Sequence, residues 1–278
     1  MAKRKIEVLV LSDIHLGTYG CRAKELLQYL KGVQPKILVL NGDIIDVWQF
    51  SKSYWPESHM KVLRRIMKLV SEGTEVYYLT GNHDEMLRKF SDLQLGNFHL
   101  SNKLVLELDG TKAWFFHGDV FDVTMQHSKW LAKLGAVGYD SLILLNSFVN
   151  WCLKHMNREK MSFSKRIKTR FKDAVKFIND FEGTAAELAA AQGYGYVVCG
   201  HIHQPEQRII PTAHGEVLYL NSGDWVENLT ALEYHQGTWK IFRYQDALLD
   251  DNDDSDLLDK ENLNSKLDVR AMLLSFSA

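Results

Sequence analysis

Cysteine is scarce in this chain of 278 residues. There are three, Cys21, Cys152 and Cys199, an odd number spaced far apart. Small secreted proteins that depend on disulfides carry an even number of cysteines at close spacing. The three cysteines therefore argue against a disulfide framework, and they favour a reducing, cytoplasmic setting.

Long apolar runs are also missing. A bilayer span needs about 20 apolar residues, whereas the apolar stretch at 142–156 is interrupted by Asn146 and Asn150. Residues 3–5 are basic, as at the start of an export signal, but the apolar run after them covers only residues 8–11. That run is too short for a signal peptide. We therefore expect a protein that is neither exported nor membrane-spanning.

No charge of one sign dominates the whole chain. The formal net charge is −2, and 46% of the residues are hydrophobic, which predicts a globular protein and gives no reason to expect a nucleic-acid partner. The exception is the end of the chain, where residues 246–278 carry nine acidic and three basic side chains. We expect one core domain at 1–245 and a partly disordered acidic tail at 246–278.

Strand and helix patterns alternate in the first half of the chain, which is typical of a parallel α/β sheet. The predicted strands are 7–11, 37–40 and 75–80, and the predicted helices are 22–31 and 61–72. An Asp-Gly pair then predicts a hairpin of 104–108 with 113–116. Three further strand-like runs, at 217–220, 229–234 and 238–244, are expected to meander towards the end of the core.

Residues at about 124–182 have a helical pattern, no strand signal and many more basic than acidic side chains. Two interpretations of this insertion stay open. It is either a helical pair packed on the core with a solvated basic face, or a basic, aromatic-rich cap that approaches an anionic bilayer or an amphipathic substrate.

Seven side chains that can bind metal ions follow apolar runs, at the places where buried strands are predicted to end. Three of these segments contain a glycine, Gly42, Gly81 or Gly200, which lets the backbone turn tightly beside a bound ion. We therefore expect the donors to meet at one sheet edge. They are Asp13, His15, Asp43, Asn82, His117, His201 and His203.

The donors are nitrogen and oxygen atoms with no thiolate, a set that suits manganese first and also iron or zinc. Seven donors are too many for one tetrahedral ion. They suit two divalent ions about 3.5–4 Å apart with a bridging carboxylate, the arrangement used in phosphate ester hydrolysis. A water held by such ions loses a proton near neutral pH, so no serine or cysteine nucleophile is required.

His83 directly follows the donor Asn82, where it can give a proton to the leaving group from the substrate side. An imidazole in that role is usually held in one tautomer by a carboxylate. Asp46, in the same segment as Asp43, is the candidate for this task. A turn or helix cap is the other interpretation of Asp46.

Five motifs together resemble the signature of the calcineurin-like metallophosphoesterases. They are Asp13-x-His15, Gly42-Asp43-x-x-Asp46, Gly81-Asn82-His83-Asp84, His117-Gly118-Asp119 and Gly200-His201-x-His203. The resemblance implies an α/β sandwich of two mixed sheets flanked by helices. It also implies that one ion is bound by Asp13, His15 and His203, the other by Asn82, His117 and His201, and that Asp43 lies between them.

Within this family, the chain resembles the UDP-2,3-diacylglucosamine hydrolase branch, which cleaves the pyrophosphate of a lipid A precursor. The shared features are residues 117–122, the basic insertion and residues 221–225. This resemblance implies a UDP-glucosamine lipid as substrate and peripheral contact with the inner membrane surface. The implied substrate-binding residues are Asn82, His83, Asp122, Ser164 and Lys165.

One position departs from the branch, because its best known members have arginine where this chain has His83. An arginine would grip phosphate through two hydrogen bonds, whereas a histidine more readily transfers a proton. An enzyme for a small soluble phosphate ester is therefore an alternative. A non-catalytic scaffold of this fold is another, although such proteins usually lose a ligand that this chain keeps.

Overall fold

The computed structural model describes residues 3–48, 54–121, 178 and 180–244. Within these residues the strands form two mixed sheets, one of seven strands and one of five. Helices lie against the outer faces of both sheets. The prediction of a two-sheet α/β sandwich flanked by helices is confirmed.

The elements have the following bounds. The strands are β1 (Arg4–Leu11), β2 (Val33–Asn41), β3 (Glu75–Leu79), β4 (Leu93–Leu95), β5 (Phe98–Ser101), β6 (Leu104–Leu108), β7 (Thr111–Phe115), β8 (Tyr196–Cys199), β9 (Glu206–Thr212), β10 (Gly215–Asn221), β11 (Thr230–His235) and β12 (Thr238–Arg243). The helices are α1 (Ala23–Gly32), α2 (Glu57–Ser71), α3 (residues 180–191) and a 3₁₀ helix at Glu85–Phe90.

The first sheet has the order β12-β11-β1-β2-β3-β5-β4, and the second has the order β6-β7-β8-β10-β9. Strands β1, β2, β3 and β5 run parallel to one another, as do β7, β8 and β10. Because parallel strands end at the same edge of a sheet, the loops that follow them are brought together there.

The main core lies between the two sheets. Val8 and Val10 of β1 pack there with Phe115, Val198 and Leu232. Side chains alternate along a strand, so the intervening Leu9 and Leu11 point to the other face of the sheet. Those two residues are also fully buried, which explains why β1 is apolar almost without interruption.

Apolar side chains three or four residues apart give each helix a buried stripe. On α2 this stripe is Val62, Ile66 and Leu69, and on α1 it includes Leu26 and Leu30. These helices pack against each other and against β2 and β3. On the second sheet, Phe181 and three alanines of α3 pack with Val197, Cys199, Val217 and Tyr219.

The expected meander of the last three strands is correct for β11 and β12, which are neighbours joined at residues 236–237, and wrong for β10. Strand β10 belongs to the second sheet, between β8 and β9, whereas β11 pairs with β1 in the first. The alternation of apolar residues predicts that a segment is a strand but does not specify its neighbour. Strands β4, β5 and β9 were not predicted either; β4 is exposed throughout, and no residue of β9 is buried.

Most of the insertion at 124–182 and all of the tail at 246–278 lie outside the described residues, so their assignment as a cap and a disordered tail stays a prediction. The compact unit that holds the site ends at Phe242. Among the described residues, no helix combines the length and apolar character needed to cross a bilayer.

Candidate active site

The predicted donor residues come just after the carboxyl ends of parallel strands. Asp13 follows β1, Asp43 follows β2, Asn82 follows β3, His117 follows β7, and His201 follows β8. The two sheets face each other across the core, so both sheets deliver residues to one edge of the sandwich. Each of these strands is apolar and stays buried in the core, so it ends close to the polar donor residue that follows it.

The donor loops have an unusual backbone. Five residues have positive φ angles: Asp13 (51°), His15 (54°), Asp43 (55°), His201 (67°) and His203 (56°). This left-handed conformation is uncommon for residues other than glycine, and it persists where the surrounding structure enforces it. Such strain tends to cluster at functional sites, and its presence at five of the seven predicted donors indicates that these loops are shaped to aim side chains.

Backbone hydrogen bonds hold the donor loops against one another. The Asp13 amide donates to the Gly42 carbonyl at 3.1 Å, and the His15 amide donates to the Asp43 carbonyl at 3.0 Å. The His201 amide donates to Asp13 Oδ2 at 3.1 Å. These bonds join loops that follow three different strands, so the positions of the side chains depend on the whole sandwich.

One group of donors consists of Asp13, His15 and His203, whose ligand atoms lie within 4.8 Å of one another. His203 Nε2 is 3.2 Å from Asp13 Oδ1. It is also 3.4 Å from His15 Nε2. Two imidazole nitrogens and a carboxylate oxygen that converge at these distances can share one cation.

A second group consists of Asp43, His117 and His201, again with ligand atoms within 4.8 Å. His117 Nε2 is 3.2 Å from Asp43 Oδ2. His117 Nδ1 lies 2.9 Å from the Asn41 carbonyl oxygen, to which it can only donate, so Nε2 keeps its lone pair for a ligand. Asp43 also groups with His15 and His83, which puts it between the two sets of donors.

Several buried polar atoms at this edge lack a hydrogen-bond partner among the described residues: Asp13 Oδ1, Asn82 Oδ1 and His117 Nε2. Leaving such a group unsatisfied costs about 1–3 kcal/mol. Divalent cations bound at this edge would satisfy all three atoms, and carboxylate, amide and imidazole donors without thiolate suit such ions. The residues present therefore fit the metal ions that the sequence predicts.

The electrostatics of the site couple the carboxylates to the imidazoles. Burial alone would lower the pKa of His203, but Asp13 and Asp224 outweigh it and raise that pKa to about 9. Burial would raise the pKa of Asp43, but the nearby His117, His15 and His83 hold it well below the usual range. The carboxylates thus create a strongly negative potential that favours cations, whether protons or metal ions.

Two glycines allow this close packing. A Cβ on Gly42, where φ is +84°, would lie 2.3 Å from His117 Nδ1, and a Cβ on Gly81 would lie 2.2 Å from Asp43 Oδ1. Both distances are shorter than any van der Waals contact. Any side chain at either position would therefore displace a donor.

Asp46 contacts two imidazoles. Its Oδ2 lies 2.8 Å from His83 Nδ1 and 3.1 Å from His15 Nδ1. Burial alone would lower the pKa of His83, but Asp46, followed by Asp43, raises it above its ordinary value. This geometry suits the orienting role predicted for Asp46. The contact with His15 was not predicted, because nothing in the sequence indicates that one carboxylate serves both rings.

Asp84 and Asp224 also support the site, and the sequence did not predict this role for them. Asp84 accepts hydrogen bonds from the Gly81 amide (2.6 Å), the Ile44 amide (3.0 Å) and the Tyr78 hydroxyl (2.6 Å), so it ties the third donor loop to the second. Asp224 Oδ2 lies 3.6 Å from His203 Nδ1. Both residues stand in motifs that the sequence singled out, but their partners are distant in sequence.

The predicted substrate residues are only partly described. The His83 side chain is 17% exposed, so it remains accessible to a substrate, and its ring lies 4.9 Å from that of the exposed Trp48. Asp122, Ser164 and Lys165 lie outside the described residues. Their contribution to substrate binding stays a prediction.

The contacts of Asp46 predict the effect of removing its charge. Asp46→Asn should lower kcat/KM roughly 10- to 100-fold and should weaken metal affinity, as is usual for carboxylates that orient metal-binding histidines. Steady-state kinetics and metal titration would measure both quantities. Asp92→Asn, at an exposed position outside the site, is the matched control. Unchanged kinetics and metal affinity in Asp46→Asn would exclude the orienting role.

The chain is similar to several known proteins. Residues 6–205 match the family model of calcineurin-like phosphoesterases. A UDP-2,3-diacylglucosamine hydrolase of Aliivibrio fischeri (strain MJ11) is 20% identical over 85% of this chain and 98% of that protein. A UDP-2,3-diacylglucosamine hydrolase of Pseudomonas putida (strain F1) is 23% identical over 86% of this chain and 99% of that protein. Among solved structures, Yfce, a phosphoesterase from E. coli, aligns with 15% identity and a TM-score of 0.42 over 86% of this chain and 93% of its own.

Proposed function

Because this chain belongs to the calcineurin-like phosphoesterase family and is a metal-dependent phosphoester hydrolase, we propose that it uses two metal ions to cleave a pyrophosphate. The proposed substrate is a UDP-2,3-diacylglucosamine-like lipid, and the products are a lipid monophosphate and UMP. The observation that carries the two-ion proposal is the position of Asp43, whose carboxylate lies between two groups of donors.

In this proposal Asp13, His15 and His203 would hold one ion. Asn82, His117 and His201 would hold the other, and Asp43 would contribute its carboxylate to both. The unpartnered oxygens and nitrogen of Asp13, Asn82 and His117 support the assignment. Manganese is the first candidate and iron or zinc the next, because the donors are oxygen and nitrogen atoms only.

When bound, such ions polarise phosphoryl oxygens and increase the acidity of a water molecule. The protein's own side chains supply the proton transfer and the orientation. His83 gives a proton to the leaving oxygen, and its partly exposed ring lies on the side from which a substrate would arrive. The Asp46 carboxylate, 2.8 Å from His83 Nδ1, would hold the imidazole in one orientation. Buried Asp84 keeps the loop of Asn82 and His83 in place.

Two relatives support the lipid substrate, because they align with this chain over nearly their whole length and are named for this activity. The basic insertion at 124–182 would act as a cap that recruits the lipid, with the protein in the cytoplasm at the inner membrane surface. The second candidate is a small soluble phosphodiester or monoester. His83 favours it, because a proton-donating imidazole needs no lipid-specific contact.

A product assay separates these two candidates. Metal-stripped protein is reloaded with manganese and given detergent-solubilised UDP-2,3-diacylglucosamine, an aryl phosphodiester or an aryl phosphomonoester. We expect UMP release from the lipid with a kcat/KM at least about tenfold above that for either aryl ester, since lipid contacts add binding energy that small esters cannot use.

The controls separate the substrate from the chemistry. Reactions without added metal should release no product from any of the three compounds. Hydrolysis of the aryl esters without hydrolysis of the lipid would favour the soluble ester and reject the lipid substrate. No hydrolysis of any phosphate compound with manganese, iron or zinc would contradict the proposed chemistry itself.

A further inference from the structure

A second charged feature lies away from the donor loops, in a cleft of about 370 Å³ where helices α1 and α2 meet. Six of its seven lining residues are cationic. The lining consists of Lys3, Leu27, Lys31, Lys61, Arg64, Arg65 and Lys68. The whole chain has a formal net charge of −2, so this local concentration of positive charge is not a consequence of composition.

Arg65 is the buried member of the cleft lining, with 7% of its surface exposed. Its Nε donates to the Leu30 carbonyl at 3.0 Å, and one of its terminal nitrogens donates to the Val33 carbonyl at 3.1 Å. These bonds connect α2 to the end of α1. Contacts with the backbone therefore hold the guanidinium in place.

Carboxylates balance only part of this charge. Glu72 forms ion pairs with three of the cations: Lys3 at 3.2 Å, Arg65 at 3.4 Å and Lys68 at 3.7 Å. Glu57 pairs with Lys61 at 3.3 Å, but that carboxylate is largely exposed. Lys31 and Arg64 form no ion pair with any residue in the described ranges. Two carboxylates thus face six cations, and four positive charges are left over.

The cleft is remote from the donor loops. Lys3 precedes β1, whereas Asp13 follows it. Strand β1 has 8 residues, which at about 3.3 Å per residue separates its ends by roughly 25 Å. A ligand in the cleft would therefore not reach the donor side chains. Whatever binds here would be held and not hydrolysed.

We propose that the cleft between α1 and α2 is a binding site for a ligand that carries clustered phosphate groups. Lysine and arginine bind phosphate through charge-assisted hydrogen bonds. A single phosphate would use only part of the lining, whereas two or three linked phosphates can contact both the buried Arg65 and the exposed Lys61 and Arg64. Such a ligand is either a soluble polyphosphate or the headgroups of an anionic lipid surface.

Titration of the full chain, stripped of metal ions by dialysis, with inorganic tripolyphosphate would test the soluble source. The double variant Lys61→Glu/Arg64→Glu should weaken binding roughly tenfold or more, since two attractive charges become repulsive. Glu72→Gln should tighten binding roughly threefold, because it removes the carboxylate that competes for Lys3 and Lys68. Lys240→Glu, an exposed charge reversal on β12, should leave the affinity within about twofold.

Sedimentation with vesicles of phosphatidylglycerol and phosphatidylcholine, against phosphatidylcholine alone, tests the lipid source with the same variants. Binding to either probe that follows the predicted order of variants supports the site and identifies its source. No binding to either probe, or binding that all variants leave unchanged, would overturn it. Aryl ester hydrolysis by the metal-loaded variants should remain at the wild-type rate, which checks their folding. Because Glu72→Gln predicts a gain, the proposal stays testable even if the double variant misfolds.

Discussion

Asp43→Ala should abolish nearly all activity and should lower the metal content of the purified protein. The carboxylate is buried between two groups of donors, and its Oδ1 accepts a hydrogen bond from the His83 amide at 2.8 Å. Loss of the Asp43 carboxylate would therefore disturb both proposed ions and the loop that carries His83, the proposed general acid. Metal polarisation is worth several kcal/mol, which predicts a loss of about 10³-fold or more in kcat/KM.

Metal analysis by mass spectrometry and assays with an aryl ester would measure both effects. Glu107→Ala, which removes an exposed carboxylate on β6, is the matched control and should keep wild-type activity and metal content. Asp43→Asn keeps the shape of the side chain without its charge, so it should lose activity with less disturbance of the loop. If Asp43→Ala retained wild-type turnover and metal stoichiometry, the bridging role and the two-ion proposal would both be wrong.

His83→Ala should lower kcat by about 10²- to 10⁴-fold, the usual contribution of general acid–base catalysis, while metal content remains near that of the wild type. The reason is geometric. The His83 ring is partly exposed and is held by Asp46 at 2.8 Å, so it is positioned to transfer a proton but lies outside the proposed ligand set. The loss should be largest for esters with poor leaving groups, which need the proton most.

A series of aryl esters with leaving groups of different pKa would measure this dependence. His99→Ala is the matched control, because His99 pairs with Glu75 at 2.8 Å on the surface of the first sheet and makes no contact with the donors in the described structure. An equal loss of rate for good and poor leaving groups would argue against the acid role. It would leave His83 as a residue that only binds or positions the substrate.

Much of the candidate site could be predicted because its residues are tied to strand ends. Each of the apolar runs that precede Asp13, Asp43 and His117 forms a strand, and the parallel order of these strands brings the following loops together. Their exact partners could not be predicted. Nothing local to Asp46 indicates that it contacts His15 as well as His83, since that contact depends on how two loops pack.

The backbone conformation of the donor loops could not be predicted from the sequence either. Positive φ angles could be expected at glycines such as Gly42, but not at Asp13, His15 or His203, where a side chain opposes that conformation. The same limit applies to the cleft between α1 and α2. Lys3, Lys31 and Lys61 belong to separate segments, and only the packing of the two helices makes them neighbours.

The sequence by itself determined the apolar strands that precede the donors, which donors follow them and which chemistry those donors favour, because burial and ligand type are properties of each segment and side chain. The tertiary structure alone decided which sheet each strand joins, as with β10 and β11, and which side chains share a site. The physical reason is that pairing and packing depend on contacts between residues far apart in the chain. The joining of two donor groups through Asp43 is a product of those contacts.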